Sequence, residues 1–350
     1  MRRLSYTIAI LAATTVAIGA QAPGAGPRVE RRDAALDALI APGEKPELLK
    51  GDYFGFLEGP VWVPAAEGGY LLFSDIGANR IYKWTSDGAL SVFVERSGYT
   101  GTGKSDALQL NNGRLELILL GSNGLTLDTE GRLLFCAHGD RALKRLEPDG
   151  TITVLADRFE GKRFSGPNDV VVRSDGAIYF SDFHAGLSAP NSPARELPFF
   201  GLYLLKDGSL QVIDKDIGGA PPNGVALSPD EKQLYVGAGS TLYRYDVNED
   251  GTITNRSAFA DLTLPDANGI VDGIKVDQAG NVYARGAGGF WVLSPSGKML
   301  GLIRMSASNL AFGGADGRML YIAAGRDLYR LRTMVPGVRP MPKTLNLPDR

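Results

Sequence analysis

The residues best suited to chemistry in this 350-residue chain are carboxylates and carboxamides that recur at the starts of six similar segments. Asn and Asp are common in turns, which explains any one of these positions but not six of them in phase. Brought together, such oxygen donors suit Ca²⁺, with waters completing its coordination. The six segments read Glu58-Gly59-Pro60-Val61-Trp62, Ser122-Asn123-Gly124-Leu125, Gly166-Pro167-Asn168-Asp169-Val170, Pro222-Asn223-Gly224-Val225, Val271-Asp272-Gly273-Ile274 and Ser308-Asn309-Leu310-Ala311.

Nitrogen and sulfur ligands are scarce. The chain has two histidines and one cysteine, too few for a structural zinc site built from His and Cys. One cysteine also excludes an intrachain disulfide. No Gly-x-Ser-x-Gly motif occurs, and two histidines leave a Ser-His-Asp triad little to draw on. We therefore expect one divalent cation held by oxygen, Ca²⁺ first, with Zn²⁺, Mn²⁺ and Mg²⁺ left open.

The segments that must position these residues repeat along the chain. Each of the six units has a β-rich stretch, a turn and a second, aromatic-rich stretch, and the first stretches start 38 to 62 residues apart. Four short strands per repeat of roughly 40–50 residues are typical of a β-propeller. The sequence thus predicts an all-β, six-bladed propeller with four antiparallel strands per blade; a β-sandwich is the weaker alternative.

The ends of the repeat region suggest how the ring closes. The sixth unit lacks strands after Leu331, and residues 46–50 precede the first unit. We expect this N-terminal segment to supply the missing outer strand, which would remove an exposed sheet edge. The predicted domain organisation is a flexible lead-in at 23–44, the propeller at 45–335 and a C-terminal tail at 336–350.

The first 22 residues resemble a secretory signal. Arg2 and Arg3 precede an apolar run from Tyr6 to Ala20, and small residues follow. The run is shorter than the roughly 20 residues of a membrane span. The mature protein is therefore expected to be periplasmic or secreted and free of the membrane. The near balance of 39 acidic and 37 basic residues argues against a nucleic-acid binder, and no protein partner is implied.

An ordered set of motifs resembles the gluconolactonase / senescence marker protein (regucalcin) / luciferin-regenerating enzyme family over roughly residues 45–332. The motifs are Glu58-Gly59-Pro60-Val61-Trp62, Phe73-Ser74-Asp75, Asn79-Arg80-Ile81-Tyr82-Lys83-Trp84, Gly166-Pro167-Asn168-Asp169-Val170, Pro222-Asn223-Gly224, Asp272-Gly273-Ile274 and Asn309-Leu310-Ala311-Phe312-Gly313-Gly314. Cys136-Ala137-His138-Gly139-Asp140-Arg141 and Glu160-Gly161-Lys162-Arg163 resemble the bacterial gluconolactonase branch.

The resemblance implies a six-bladed propeller with one divalent ion at the mouth of its channel. The implied metal ligands are Glu58, Asn223 and Asp272, and Asn168 would touch the ion directly or through water and substrate. Where the branch usually reads Thr-Asp-Pro-Pro-Tyr-Gly, this chain has Ser181-Asp182-Phe183-His184-Ala185-Gly186. That loop is expected to border the pocket, so the substrate need not be gluconolactone.

The function expected from these residues is hydrolysis of a sugar lactone or related cyclic ester. Asp272 is the first candidate for general base and His138 the alternative. Asn123, Asn168, His138 and His184 are the candidates for substrate binding. Two alternatives use the same site: an esterase or phosphotriesterase, and a non-catalytic propeller that keeps the ion for structural reasons.

Overall fold

A computed structural model describes residues 26–65, 68–111, 116–215 and 217–348. The predicted signal peptide lies outside these residues. Within the described part of the chain, helix is limited to three short 3₁₀ segments, Ala34–Ala38, His184–Gly186 and Ile217–Gly219. None of the described helices is long and apolar enough to cross a membrane. Two short strands, β1 (Arg28–Arg31) and β2 (Glu47–Lys50), precede the repeats.

Blades 1 to 3 are four-stranded antiparallel sheets whose strands follow chain order from the channel outward. Blade 1 comprises β3 (Leu57–Val63), β4 (Tyr70–Asp75), β5 (Arg80–Thr85) and β6 (Leu90–Glu95). A hairpin of β7 (Gln109–Asn111) and β8 (Glu116–Ile118) follows. Blade 2 comprises β9 (Ser122–Leu127), β10 (Leu133–Ala137), β11 (Ala142–Leu146) and β12 (Ile152–Ala156). After the hairpin of β13 (Arg158–Phe159) and β14 (Lys162–Arg163), blade 3 comprises β15 (Pro167–Val172), β16 (Ile178–Asp182), β17 (Gly201–Lys206) and β18 (Ser209–Lys215).

Blades 4 to 6 complete the ring. Blade 4 comprises β19 (Pro222–Leu227), β20 (Gln233–Ala238), β21 (Thr241–Val247) and β22 (Ile253–Asp261). Blade 5 comprises β23 (Ile274–Val276), β24 (Val282–Gly286), β25 (Gly289–Leu293) and β26 (Met299–Arg304). Blade 6 comprises β27 (Asn309–Gly313), β28 (Met319–Ala324) and β29 (Asp327–Arg332). The predicted six-bladed propeller is confirmed.

The ring closes as the sequence predicted. Strand β2 pairs with β29 in antiparallel register, with Glu47 opposite Arg330, and so becomes the outer strand of blade 6. Blade 6 then packs against blade 1, where the rings of Trp62 and Tyr321 stack with centroids 5.4 Å apart. Residues from the two ends of the repeat region thus share one sheet, which leaves blade 6 with its full four strands.

The expectation of a flexible lead-in at 23–44 is wrong for most of that segment. Strand β1 pairs with β26 as a fifth strand of blade 5, with Arg28 opposite Arg304. The following 3₁₀ segment buries Leu36, and Ile40 is also fully buried. Both side chains join the apolar cluster between blades 5 and 6. The apolar contacts explain the difference, because they fix a stretch whose Ala, Pro, Gly and Arg content suggested a linker.

The hydrophobic core is divided among the blade interfaces. The described residues form six clusters of buried apolar side chains, and each cluster joins two neighbouring blades around the ring. The two faces of every blade are therefore covered, which is why the strands show short, nearly continuous apolar runs such as Leu71-Leu72-Phe73. The polar starts of the six inner strands are held at one end of this packed ring.

Candidate functional site

The predicted site residues lie where the inner strands begin. Glu58 is in β3, Asn123 in β9, Asn168 in β15 and Asn223 in β19, whereas Asp272 immediately precedes β23. Glu58, Asn123, Asn168 and Asn223 are each at most 5% exposed, while Asp272 is more accessible. The five side chains therefore belong to five different blades at one mouth of the channel.

A shift in strand register accompanies the site residue in each of blades 1 to 4. In β15, for example, Pro167 is opposite Asp182 and Val170 is opposite Phe180, so the inner strand carries one residue more than its partner. The same extra residue occurs between Glu58 and Val61, between Ser122 and Leu125, and between Pro222 and Val225. Such a bulge interrupts the hydrogen-bond ladder between the two strands. It also changes the direction of a side chain from the one that the alternation of a regular strand would give it.

Close contacts between neighbouring blades require glycine directly after several of the site residues. A Cβ on Gly59 would overlap the carbonyl oxygen of Asn123, and one on Gly124 would come within 2.6 Å of the Asp169 carboxylate. Likewise, a Cβ on Gly224 would overlap the carbonyl oxygen of Asp272. Glycine at these positions lets the site backbone of one blade touch that of the next, which brings the polar side chains close together.

The two predicted ligand carboxylates interact with each other. Burial raises the pKa of Glu58 well above its ordinary value, and the negative charge of Asp272 adds to the rise. Burial also raises the pKa of Asp272 to about 6, while Arg285 acts in the opposite direction. Burial is thus the first cause of both shifts, and the proximity of the two carboxyl groups adds to that of Glu58.

Hydrogen bonds orient both carboxylates. Asn309 Nδ2 donates to Glu58 Oε2 at 3.0 Å, and the backbone N–H of Gly59 donates to the same oxygen at 3.0 Å. Asn223 forms a side-chain hydrogen bond to Asp272 that lowers the pKa of this carboxyl. The buried Oδ1 of Asn223 has no hydrogen-bond partner within the described residues. That oxygen is free to bind a cation.

Asp169 is a third carboxylate at the mouth, but its oxygens accept hydrogen bonds from backbone N–H groups. Its Oδ1 accepts from Val170 N at 2.9 Å and its Oδ2 from Val225 N at 3.2 Å, so it links blades 3 and 4. Burial raises the pKa of Asp169, and Lys275 opposes the rise. Among the described residues no three His, Cys, Asp or Glu side chains gather as a metal cluster. A cation here would depend on carboxamide oxygens as well as carboxylates.

Both histidines of the chain are buried beside this mouth. His138 follows β10, and its Nε2 lies 3.4 Å from Asn123 Nδ2. His184, in its 3₁₀ segment, packs its ring on Phe183 with centroids 4.1 Å apart. Burial lowers the pKa of His138 to about 3 and that of His184 to about 4, so both imidazoles are neutral at neutral pH. The Nδ1 atom of His184 is buried without a hydrogen-bond partner in the described structure, whereas a hydrogen bond to the backbone of Leu119 partly opposes the fall in the pKa of His138.

Two aspartates that the sequence analysis did not select hold the loops leading into the site strands. Asp75 accepts from the backbone N–H groups of Gly55 and Phe56, just before Glu58. Asp182 accepts from those of Ser165 and Gly166, just before Asn168. Their shared context, Phe-Ser-Asp at the end of the second strand of blades 1 and 3, was the available signal. Asn309 and Asp169 were likewise visible only as members of the phased set.

Comparisons with known proteins agree with this fold. The family model described as the SMP-30/Gluconolactonase/LRE-like region matches residues 56–326. The chain belongs to this family. It is 32% identical to a gluconolactonase from Zymomonas mobilis, covering 89% of this chain and 87% of that protein. It is 28% identical to a pentonolactonase from Haloferax volcanii, covering 77% and 82%. The solved gluconolactonase from Xanthomonas campestris is 29% identical, with a TM-score of 0.72 over 89% of this chain and 99% of that one.

Proposed function

We propose that this protein is a metal-dependent hydrolase that opens a sugar lactone or a related cyclic ester. The observation that carries the proposal is a pair of interacting carboxylates, the buried Glu58 and the more accessible Asp272, at a channel mouth lined by carboxamides. Relatives over most of the chain are named gluconolactonase and pentonolactonase, which supports a lactone as the substrate. A signal sequence at residues 1–22 would place the enzyme in the periplasm or outside the cell.

The mouth fits a divalent cation, and Ca²⁺ is the ion proposed. Glu58, Asn168, Asn223 and Asp272 would hold it through oxygen atoms alone, the donor type that Ca²⁺ prefers. The unpartnered Oδ1 of Asn223 supports this fit, and so does the repulsion between the carboxyl groups of Glu58 and Asp272, which a cation between them would relieve. When bound, the cation supplies a Lewis acid for the lactone carbonyl.

Asp272 is the proposed general base. It is the more accessible of the two carboxylates, so an attacking water can reach it. The hydrogen bond from Asn223 orients its carboxylate for this role. Asp272 would therefore take a proton from the water as the water oxygen bonds to the carbonyl carbon of the lactone. The ring bond between the carbonyl carbon and the ring oxygen would then break, and the proton on Asp272 would pass to the released oxygen to give the hydroxy acid.

His138 is better suited to substrate binding than to proton transfer. With its pKa lowered to about 3, the buried imidazole holds a proton too weakly to act as a base at neutral pH. Beside His138, Nδ1 of His184 and Oδ1 of Asn123 have no hydrogen-bond partner in the described structure. Such atoms suit the hydroxyl groups of a sugar ring, which favours a sugar lactone over an apolar ester.

The experiment compares kcat/KM for δ-gluconolactone in the wild type and in Asp272→Asn, Asn168→Ala and His138→Ala, with bound metal measured in each. Asp272→Asn should nearly abolish turnover, because it removes charge from the cation site and the proposed base together. Asn168→Ala should reduce turnover more than metal content if Asn168 mainly orients substrate or water. Asp261→Asn, which removes an exposed carboxylate at the end of β22, is the matched control and should retain the wild-type rate.

Chelation and a substrate panel separate the alternatives. EDTA should remove activity and Ca²⁺ should restore it. Faster turnover of an aryl ester or a phosphotriester than of lactones would favour the esterase or phosphotriesterase, and metal binding without turnover would favour the binding module. An Asp272→Asn protein that keeps both its metal and its full lactonase rate would contradict the mechanism.

A further inference from the structure

Asp272 is held in place differently from the other predicted site residues. Those four residues lie within the inner strands of their blades, whereas Asp272 is near the end of the connection 262–273 that leads from blade 4 to blade 5. The inner strand of blade 5 begins only at Ile274. The position of Asp272 therefore depends on contacts made by the connection itself.

Arg285, in β24 of the same blade, makes contacts of this kind. Asp272 N donates to Arg285 O at 3.2 Å, and Arg285 N donates to Gly273 O at 3.0 Å. The side chain adds a second attachment, because Nη1 of Arg285 donates to Ile270 O at 2.6 Å. Ile270 precedes Asp272 and Gly273 follows it, so Arg285 holds the chain on both sides of the carboxylate.

The same guanidinium also reaches blade 6. Its Nε donates to Ala307 O at 3.3 Å. Ala307 lies just before Asn309, whose Nδ2 donates to Oε2 of Glu58 at 3.0 Å. The guanidinium of Arg285 therefore connects the segment that carries Asp272 with the segment that carries the side-chain donor of Glu58.

We propose that Arg285 is a positioning residue for the candidate metal site, where its guanidinium bridges two backbone carbonyls and so fixes the spacing between Asp272 and Glu58. The inference rests on the proposed function, because it concerns the same two carboxylates. A guanidinium suits this role, since its nitrogens are held in one plane at fixed separations, whereas lysine has a single nitrogen on a flexible stem. A displacement of about 1 Å at such a site can lower turnover about 100-fold.

The charge of Arg285 would act on cation binding in the opposite direction. Arg285 and Lys275 both lower the pKa of Asp272, so both charges act on the candidate site. Removal of a positive charge beside a cation should by itself tighten the binding of that cation. Weaker Ca²⁺ binding in a neutral variant of Arg285 would therefore result from lost positioning and not from lost charge.

The test compares the wild type with Arg285→Met and Arg285→Lys. Calorimetry measures Ca²⁺ binding, and kcat and KM for δ-gluconolactone are measured at saturating Ca²⁺. Arg285→Met should weaken Ca²⁺ binding about tenfold or more and lower kcat about tenfold or more, while KM changes less than about threefold, because Arg285 is not proposed to touch the substrate. Arg285→Lys keeps the charge but not the planar group, so its Ca²⁺ affinity and kcat should both stay at least about fivefold below those of the wild type.

Arg173→Met is the matched control. Arg173 also bridges two backbone carbonyls, donating to Asn248 O at 2.8 Å and to Glu249 O at 2.7 Å, but it joins blades 3 and 4 at the opposite end of the channel. Its loss should lower the melting temperature and leave Ca²⁺ affinity and kcat within about threefold of the wild type, because the two sites are far apart. Thermal denaturation of every variant verifies folding.

Two sets of results would contradict these expectations, and they differ. Wild-type Ca²⁺ affinity and kcat in folded Arg285→Met, tighter Ca²⁺ binding in that variant, or full recovery in Arg285→Lys would overturn the inference and leave the proposed function intact. A wild-type protein that neither binds Ca²⁺ nor opens lactones would overturn the proposed function and this inference with it.

Discussion

Each of the two buried histidines should contribute stability that is lost in mild acid. An imidazole whose pKa is lower in the folded protein than in the unfolded chain binds fewer protons when folded. Its contribution to stability is then present above pH 6.5 and is lost as the pH falls towards the folded-state pKa. Burial lowers the pKa of His138 from 6.5 to about 3 and that of His184 from 6.5 to about 4. The window in which stability is lost therefore begins at about pH 6.5 and extends towards pH 3.

The magnitude follows from these values. Between pH 8 and pH 5, the unfolded chain protonates His138 almost completely while the folded protein does not. Linkage then gives a loss of about 2 kcal/mol in the free energy of unfolding. His184 contributes a similar loss of about 2 kcal/mol, since its folded-state pKa is also well below 5.

Denaturant unfolding at pH 8 and pH 5, at constant Ca²⁺ and ionic strength, measures this effect. The comparison is between the wild type and His138→Asn, which keeps a neutral polar side chain but cannot titrate in this range. The free energy of unfolding of the variant should fall by about 2 kcal/mol less than that of the wild type between the two pH values. Parallel losses in both proteins would show that His138 is not a buried neutral imidazole in the native state.

Three further predictions concern other parts of the molecule. Leu36→Ala should lower the free energy of unfolding by about 2–5 kcal/mol in denaturant titrations, because Leu36 is fully buried although it lies outside the predicted propeller. An effect below about 1 kcal/mol would indicate that the segment before the propeller is a flexible linker. Asn309→Ala should weaken Ca²⁺ binding about 10–100-fold by calorimetry, because Glu58 loses its side-chain donor; unchanged affinity would argue that Glu58 is not a ligand. Gly224→Ala should destabilise the protein by about 1–3 kcal/mol and reduce lactonase activity, since the new Cβ overlaps the backbone of Asp272; a variant with wild-type stability and rate would contradict the close approach of blades 4 and 5.

Much of the fold could be predicted because its information is local and repeated. Strand triplets such as Leu71-Leu72-Phe73, separated by turns, identify a blade without knowledge of any other blade. The closure of the ring by β2 was predictable for a similar reason. The sixth unit lacked an outer strand, and the β-rich segment before the first unit belonged to no other repeat. By contrast, β1 gave no such signal, because its place on blade 5 depends on contacts with residues some 270 positions away.

The candidate site, like the fold, could be predicted from the sequence only in part. The residue types and phase of Glu58, Asn123, Asn168, Asn223 and Asp272 follow from the sequence alone, since each precedes an inner strand of its own blade. The different environments of these side chains do not follow from the sequence. Only the folded chain shows that Asp272 is more accessible than Glu58.

The sequence by itself determined the repeat, the order of the blades and the set of oxygen-bearing side chains at one mouth of the channel. The tertiary structure decided which partners those side chains meet: Asn309 donates to Glu58, Asp169 links two blades, and both histidines are buried as neutral groups. It also placed the C-terminal tail across the opposite end of the channel, where Val338 N donates to Val276 O and Asn346 N donates to Gly131 O. The physical reason is that a repeat pattern depends on residues that are close together in the sequence. Hydrogen bonds, desolvation and cavity walls arise between residues far apart in the chain, so they exist only once the ring has closed.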